Sequence, residues 1–382
     1  MYIPTSNVEE IVNAIEKLNV PRNKTVLILL AEQELPNITH LISELNKREI
    51  DFFGAIFPGL IYGAEKYHTG AIIHFLPVIQ RPILIRNISE ASTNMENLMQ
   101  SFKFLSKTNT TALIIIDCMS SSISSFLSSI YNLFADSVEY LGCGAGFLEI
   151  EQRPCIFTND GFFEDAAVVS FIDMQCRIGV HHGWKKALGP IVVTKSEGNS
   201  VKELNWKNAF AIYKEAVESS LEKEFNENNF YDISSHCPFG IYTEGHEDLV
   251  REVLKAGVDG DLFCAGDVPE NAVVNILKGE NLALVNAAQE ALEDCFLKGE
   301  LRVNYCVVID CIGRSLFLQD DFKKELKTIK NGLEARSIDT VPEGVLSLGE
   351  IASMDGDALE FLNKTIVIGV FHESTDTAHR DI

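Results

Sequence analysis

The segment Cys311-Ile-Gly-Arg314 carries side chains suited to binding a ligand. It follows the apolar run Cys306–Ile309, which predicts a buried strand, and α/β folds place ligand-binding groups at the carboxyl ends of strands. The planar guanidinium of Arg314 suits a carboxylate. The alternative is a structural ion pair of Arg314 with Glu350 or with a loop carboxylate.

Cys311 is also a candidate nucleophile. Thiol catalysis requires a lowered pKa and a nearby base, and the sequence places no histidine close to Cys311. The chain has nine cysteines, an odd number, in no CxxC arrangement. This pattern predicts buried free thiols and no structural zinc site.

The densest histidine cluster is His181-His182-Gly183-Trp184. Adjacent residues on a strand point to opposite faces, so both imidazoles cannot readily bind one metal ion. A structural or pocket-lining role is favoured. We therefore expect no metal site and no cofactor.

The glycines of Gly142-x-Gly-x-Gly146 suggest a dinucleotide-binding loop, which must lead from a strand into a helix. The following residues, Phe147 to Pro154, do not start a helix. A structural turn is favoured. No phosphate loop and no Gly-x-Ser-x-Gly nucleophile elbow occurs in the sequence.

The order strand, helix, glycine turn, strand occurs three times along the sequence. The glycine turns are 54–59, 142–146 and 344–349. The closing strands are 71–76, 166–172 and 365–370. This repetition predicts an α/β protein of two related domains, each a mixed β-sheet layered with helices and built from the repeated unit.

The polar stretch Glu222–Asn229 indicates the domain boundary. We expect domains over residues 1–225 and 236–372, and a disordered tail over residues 373–382. Short runs after the boundary, at 239–242, 262–265 and 273–277, predict antiparallel strands.

Overall charge restricts the partners. The 382 residues include 32 Lys plus Arg and 55 Asp plus Glu, a formal net charge of −23. Nucleic acids and anionic membranes require clustered basic residues, so neither is an expected partner. The sequence has neither an apolar run of membrane-spanning length nor a signal peptide at its start. We expect a cytoplasmic protein.

Several ordered motifs resemble the FIST sensory domains. Val180-His-His-Gly-Trp184 with Gly198-Asn199 resembles the end of the N-terminal part. Cys237-Pro-Phe-Gly240 resembles the opening of the C-terminal part, and Cys311-Ile-Gly-Arg314 with Asn363-x-Thr365 resembles its close. Together these motifs cover roughly residues 25–370.

The resemblance implies an intracellular sensory module for small ligands such as amino acids. Members often carry fused signalling partners, and eukaryotic relatives join an F-box. This chain has no segment of that kind, so it would signal through a separate protein. The first glycine turn, Gly54 to Leu60, lacks the polar and acidic groups that are usual there.

Our first hypothesis is a small-ligand sensor in which Arg314 binds a carboxylate, Glu350 binds an ammonium and Asn363 is a further polar contact. The predicted ligand-binding residues are Arg314, Glu350, Asn363, Cys311, Gly349, His182 and Trp184. The alternative is a protein-interaction adaptor without a metabolite. A third hypothesis, an enzyme that uses the Cys311 thiol, is the least favoured, and we predict no catalytic residue.

Overall fold

The structure, a computed structural model, describes residues 1–18, 24–90, 95–101, 110–149, 151–221, 223–226, 228–299, 301–353 and 358–372. Its described strands form four β-sheets. Three of these sheets belong to three consecutive units of the chain, and the fourth belongs to an insertion within the third unit. The predicted tail, residues 373–382, lies outside the described residues.

The first unit begins at the N-terminus. Its apolar residues recur at helical spacing in two helices, and a continuous apolar run forms its central strand, β2. Its elements are β1 (Tyr2–Ile3), α1 (Val8–Lys17), β2 (Lys24–Ala31), α2 (Ile38–Lys47), β3 (Phe52–Phe57), β4 (Gly59–Tyr62), β5 (Glu65–Tyr67) and β6 (Ala71–Pro77).

The second unit repeats this order. Its elements are β7 (Ile83–Arg86), α3 (Glu96–Ser101), β8 (Thr111–Asp117), α4 (Ile123–Phe134), β9 (Glu139–Ala145), β10 (Ile156–Thr158), β11 (Gly161–Phe163) and β12 (Ala166–Ile172). The serine-rich stretch at the start of α4 is helical because its apolar residues, among them Phe126, Leu127 and Ile130, form one buried face.

The third unit begins with β13 (Gln175–His181) and is then interrupted by the insertion. The insertion contains β14 (Lys185–Glu197), β15 (Ser200–Leu204), β16 (Lys207–Asn208), α5 (Ala209–Leu221), α6 (Phe230–Ser234), β17 (Phe239–Ile241), β18 (Leu249–Arg251), β19 (Val253–Ala256), β20 (Leu262–Cys264) and β21 (Val273–Lys278). All of its strand pairs are antiparallel, as predicted.

After the insertion, the third unit resumes with a helix and then a long central strand. These elements are α7 (Asn281–Asp294), β22 (Val303–Cys311), α8 (Ile312–Leu318), α9 (Phe322–Ala335), β23 (Pro342–Ser347), β24 (Glu350–Ser353), β25 (Leu359–Leu362) and β26 (Ile366–His372).

The three unit sheets share one strand order. They run β1-β6-β2-β3-β10-β11, β7-β12-β8-β9-β24-β25 and β13-β26-β22-β23-β4-β5. In each sheet the central strand is parallel to the next strand of its own unit and antiparallel to the closing strand. The predicted mixed α/β class with a repeated unit is therefore confirmed.

Each sheet is completed by a hairpin from another unit. The hairpin β4–β5 of the first unit joins the third sheet, β10–β11 of the second unit joins the first sheet, and β24–β25 of the third unit joins the second sheet. The exchange closes in a ring. As a result, β4 and β13 precede the predicted domain boundary at residues 225–236 but pair with strands that follow it, and β5 extends the third sheet through β4.

The centre of the molecule is apolar. Corresponding side chains of the three central strands, including Leu29, Ile115 and Ile309, line a small internal cavity of about 40 Å³. Packing the three sheets against one another removes these side chains from water, which is the main stabilising contribution to such a core.

The predicted glycine turns are wrong in one respect, because their first glycines lie inside strands. Gly54, Gly142 and Gly344 occupy equivalent positions of β3, β9 and β23. A Cβ atom at each would overlap a backbone carbonyl oxygen of the parallel neighbour, that of Ile28, Ile114 or Val308. The glycines are needed for close approach of strands.

Candidate functional site

A cavity of about 980 Å³ lies between the three-unit core and the insertion. The core contributes the segment 118–125, which follows β8, and Cys311 to Gly313, which lie at the end of β22 and just beyond it. The insertion contributes Asn199, Glu252 and the segment 264–267. The cavity thus lies at the carboxyl ends of parallel strands, where α/β folds commonly bind ligands.

Two buried polar atoms in the cavity wall lack a partner in the described part of the chain. Asn363 is 2% exposed and its Oδ1 accepts no hydrogen bond there; the Oγ of Ser120, a residue 8% exposed, is likewise unpaired. Buried polar groups in folded proteins are nearly always hydrogen-bonded, so each unpaired atom calls for an explanation. A bound molecule that hydrogen-bonds to both atoms would provide that explanation.

A buried ion pair joins the core to the insertion at the cavity wall. Lys364, 1% exposed, places its Nζ 2.6 Å from Oε1 of Glu252, which also accepts a 3.0 Å hydrogen bond from the Tyr231 hydroxyl. The Lys364 ammonium lies 5.3 Å from the ring centroid of Trp184. The charge of this wall is therefore compensated within the protein.

Arg314 makes all of its contacts with the protein. Its guanidinium forms a bidentate interaction with Glu325, whose two oxygens lie 3.1 Å from Nη2. Nη1 donates to the carbonyl oxygens of His182 and Lys364, and Nη2 donates to that of Leu284. The side chain is fully buried and does not line the cavity.

The ion pair of Arg314 therefore differs from the one that the sequence suggested. Its partners are Glu325 on α9 and Asp310 on β22, whose Oδ1 lies 3.2 Å from Nε. Glu350 is not among its ion-pair partners in the described chain. Burial and the neighbouring Glu325 raise the pKa of Asp310 well above its ordinary value.

Glu350 lies directly behind the cavity wall. Ser347 Oγ donates to its Oε1 at 2.6 Å, and the Thr365 amide donates to its Oε2 at 3.2 Å. Burial raises the pKa of Glu350 to about 8, although these hydrogen bonds lower it. At neutral pH the carboxyl is therefore largely protonated, and it does not offer an ammonium partner a full negative charge.

The position of Glu350 is apolar in the other two units. Glu350 opens β24 and pairs with Cys143, the residue after the mid-strand glycine Gly142. Leu60 and Ile156 occupy the equivalent places opposite the corresponding residues of β23 and β3. The acidic group is thus a feature of one unit only.

Gly349 and Cys311 have structural contacts. A Cβ at Gly349 would overlap the Phe361 ring, so glycine permits close packing there. Cys311 lines the cavity, but burial raises the pKa of its thiol well above the ordinary value. A thiol that stays protonated is a poor nucleophile, and the prediction of no catalytic residue remains a prediction.

The two adjacent histidines have different environments. Hydrogen bonding to Glu247 raises the pKa of His181 to about 9, with Asp294 2.9 Å from its Nε2. Burial lowers the pKa of His182 to about 4, and its Nδ1 accepts the Trp184 amide at 2.8 Å. Trp184 Nε1 donates to the Lys364 carbonyl, so this cluster supports Lys364.

The structure thus divides the predicted site residues into two groups. Asn363 and Cys311 line the cavity, whereas Arg314, Glu350, Gly349, His182 and Trp184 do not. The described residues contain no group of three or more His, Cys, Asp or Glu side chains that could hold a metal ion.

Several residues in the cavity wall or in contact with it were not identified from the sequence. Lys364 is the unnamed middle residue of the Asn363-x-Thr365 motif, and this adjacency was an available signal. Ser120 opens the serine-rich stretch Ser120–Ser129, whose apolar spacing indicates an amphipathic helix and gives no sign of a ligand site. Glu252 has no local signal, because only the fold brings it to Lys364.

Comparison with known protein families matches residues 24–207 to the FIST N domain and residues 209–353 to the FIST C domain. No curated protein matches the chain with significance. No helix among the described residues is long and apolar enough to cross a membrane. With two consecutive domain matches that cover most of its length, this chain belongs to the FIST family.

Proposed function

We propose that this chain is a sensor that binds a small ligand in the cavity between the core and the insertion. FIST domains are generally regarded as sensory domains for small ligands. The observation that carries the proposal is the unpaired, buried Oδ1 of Asn363 in the wall of a cavity of about 980 Å³. That volume suits a metabolite-sized molecule.

We further propose an amino acid or a small carboxylate as the ligand. The cavity wall is polar on both sides, with hydroxyl groups of the segment 120–125 on the core side and Glu252 on the insertion side. In this proposal Arg314 and Glu350 position the wall rather than contact the ligand, because their polar atoms are engaged by the protein.

The cellular setting belongs to the same proposal. We place the protein in the cytoplasm, and its nine free cysteines support a reducing compartment. Ligand binding would be communicated to a separate signalling protein.

Thermal unfolding in the presence of amino acids and small carboxylates tests this function. A ligand at about 100 times its Kd stabilises the folded state by roughly 2.7 kcal/mol. At roughly 2–4 °C per kcal/mol for a chain of this size, a selective Tm rise of several degrees is expected. A flat panel would contradict the proposed ligand class and favour the adaptor alternative.

Asn363→Ala provides the matched variant. It removes the unpaired oxygen, so we expect the ligand-dependent Tm rise to disappear while the unliganded Tm changes little. Asn132→Ala, the same substitution at an exposed position of α4, should retain the full rise. An undiminished rise in Asn363→Ala would contradict the assignment of Asn363 to the ligand site.

A further inference from the structure

We infer that the N-terminus of α4 binds a carboxylate group of the ligand, and that Asn363 and the insertion face its hydrogen-bond-donating end. This inference rests on the proposed function and names the orientation and the chemical class of the ligand. It replaces Arg314 with α4 as the carboxylate-binding element.

The first observation is that the backbone amides at the N-terminus of α4 lack hydrogen-bond acceptors among the described residues. α4 has 12 residues, and Phe126 N–H begins its hydrogen-bond ladder by donating to the Ser122 carbonyl. The Ser122 side chain forms no capping hydrogen bond. Within the described chain, the amides of Ile123, Ser124 and Ser125 have no hydrogen-bond acceptor.

These amides provide a favourable electrostatic environment for an anion. The first N–H groups of a helix carry partial positive charge and require acceptors. The segment 118–125 lines the cavity continuously. A carboxylate placed there would accept the hydrogen bonds that Ser122 does not provide, as anions do at other helix N-termini.

The second, independent observation is the Ser120 hydroxyl. Ser120 is 8% exposed, lines the cavity, and its Oγ has no partner in the described chain. A hydroxyl can donate to a carboxylate oxygen. One bound group would therefore satisfy both the helix amides and the Ser120 hydroxyl.

A nearby negative charge does not oppose this assignment strongly. Asp117 ends β8 just before the segment, but its carboxylate is engaged by the protein. It accepts hydrogen bonds from the amides of Met119 and Asp165 and from the Gln152 side chain. Its charge is thus distributed over three donors.

The opposite side of the cavity suits a donor or a cation. Asn363 Oδ1 is an acceptor without a partner in the described chain, and the exposed carboxylate of Asp267 lies on the insertion side. The Glu252 carboxylate there is compensated by Lys364. A zwitterionic molecule such as an α-amino acid matches this distribution.

The test uses the full-length chain and isothermal titration. The probes are the free amino acids that raise Tm, the carboxamide of each, in which the ammonium is kept and the carboxylate is neutralised, and inorganic phosphate. We expect each carboxamide to bind roughly tenfold or more weakly, since the helix end favours the charged group.

Ser122→Asp tests the location. Aspartate tolerates the left-handed backbone that Ser122 adopts, so it should not destabilise the helix, but its negative charge would repel the ligand carboxylate. We expect roughly tenfold or more weaker binding of the free amino acid. Ser129→Asp adds the same charge at an exposed position farther along α4 and should bind normally.

The outcomes separate this inference from the proposed function. Amino-acid binding that is equal for the carboxamide, or unchanged in Ser122→Asp, overturns the inference and leaves the sensor function intact. Binding of phosphate without binding of carboxylates also overturns it. The absence of any Tm response to the amino acids contradicts both proposals.

Discussion

Arg314 is held by carboxylates and carbonyls on every side, and its guanidinium is fully buried. Breaking a buried pair by removing one partner leaves an uncompensated charge, here that of Glu325. Because Arg314 also donates to the Lys364 carbonyl, the effect extends to the residue beside Asn363. Its role is to fix the backbone behind the cavity.

Arg314→Ala should lower the free energy of unfolding by about 3–5 kcal/mol. Urea denaturation measures the loss, with Arg81→Ala as the control, because the ion pairs that Arg81 forms with described residues are exposed. Normal stability combined with loss of ligand binding would instead support the carboxylate-binding role that the sequence suggested.

Glu350 gives the folded state a distinctive pH dependence. Its pKa is raised from 4.5 to about 8 in the folded chain, chiefly by burial. Between these values the folded protein holds a proton that the unfolded chain releases, so stability falls as the pH rises through this range. Above about pH 8 Glu350 loses its proton in the folded chain as well, so its contribution to the pH dependence of stability ends.

Glu350→Gln should remove that contribution, because glutamine is neutral at every pH. The free energy of unfolding of the variant, relative to the natural chain, should rise by on the order of 1 kcal/mol per pH unit between about pH 5 and pH 8. Urea denaturation at several pH values measures this, with the exposed Glu270→Gln as control. Parallel pH profiles would contradict a protonated Glu350.

Among the elements, the three mid-strand glycines decide how closely the parallel strands pack. Gly344 provides the sharpest test, because a Cβ there would overlap the carbonyl group of Val308 on the rigid neighbouring strand. Gly344→Ala should destabilise the fold by about 1–3 kcal/mol or more in urea denaturation.

Gly257→Ala is the matched control, since the nearest atom to its added Cβ is a movable ring atom of Phe263 at 3.2 Å. Equal stability of the two variants would contradict the close-approach explanation.

The sequence predicts the elements well where apolar periodicity is strong. The stripe of α4 and the continuous apolar runs of β2, β8 and β22 identified helices and strands correctly. A glycine in a strand and one in a turn look alike in sequence, however, because the difference lies in the carbonyl of a neighbouring strand. That neighbour is fixed only by the register of the folded sheet.

The site was predicted less completely for the same reason. Cys311 ends β22 and Asn363 directly follows β25, so both lie at strand ends that reach the cavity. The partner of Arg314 is a helix residue, Glu325, which only packing of α9 brings into contact. The Lys364–Glu252 pair joins the core to the insertion, so no local pattern indicates it.

At the scale of the whole molecule, the hairpin exchange makes the two family domains interdependent. Residues 1–207 contain β4, β5 and β13 but lack the strands β22, β23 and β26 with which they pair or share a sheet. We expect this fragment to remain incompletely folded alone and to gain native circular dichroism when residues 208–382 are added.

Deletion of the insertion is the contrasting variant. Lys185 and Lys278 are register partners at its two ends, so a short glycine linker in place of residues 186–277 can join them. The core should then fold cooperatively but lose ligand-dependent stabilisation. A stably folded 1–207 fragment would contradict the interdependence of the units.

The closed hairpin exchange also has an evolutionary consequence. Three separate copies of one unit could satisfy one another only as a symmetric homotrimer, each lending its hairpin to a neighbour. Such an ancestor would repeat every surface three times. In one continuous chain, by contrast, a single unit can carry the insertion and Glu350, while Leu60 and Ile156 keep the other two corners apolar.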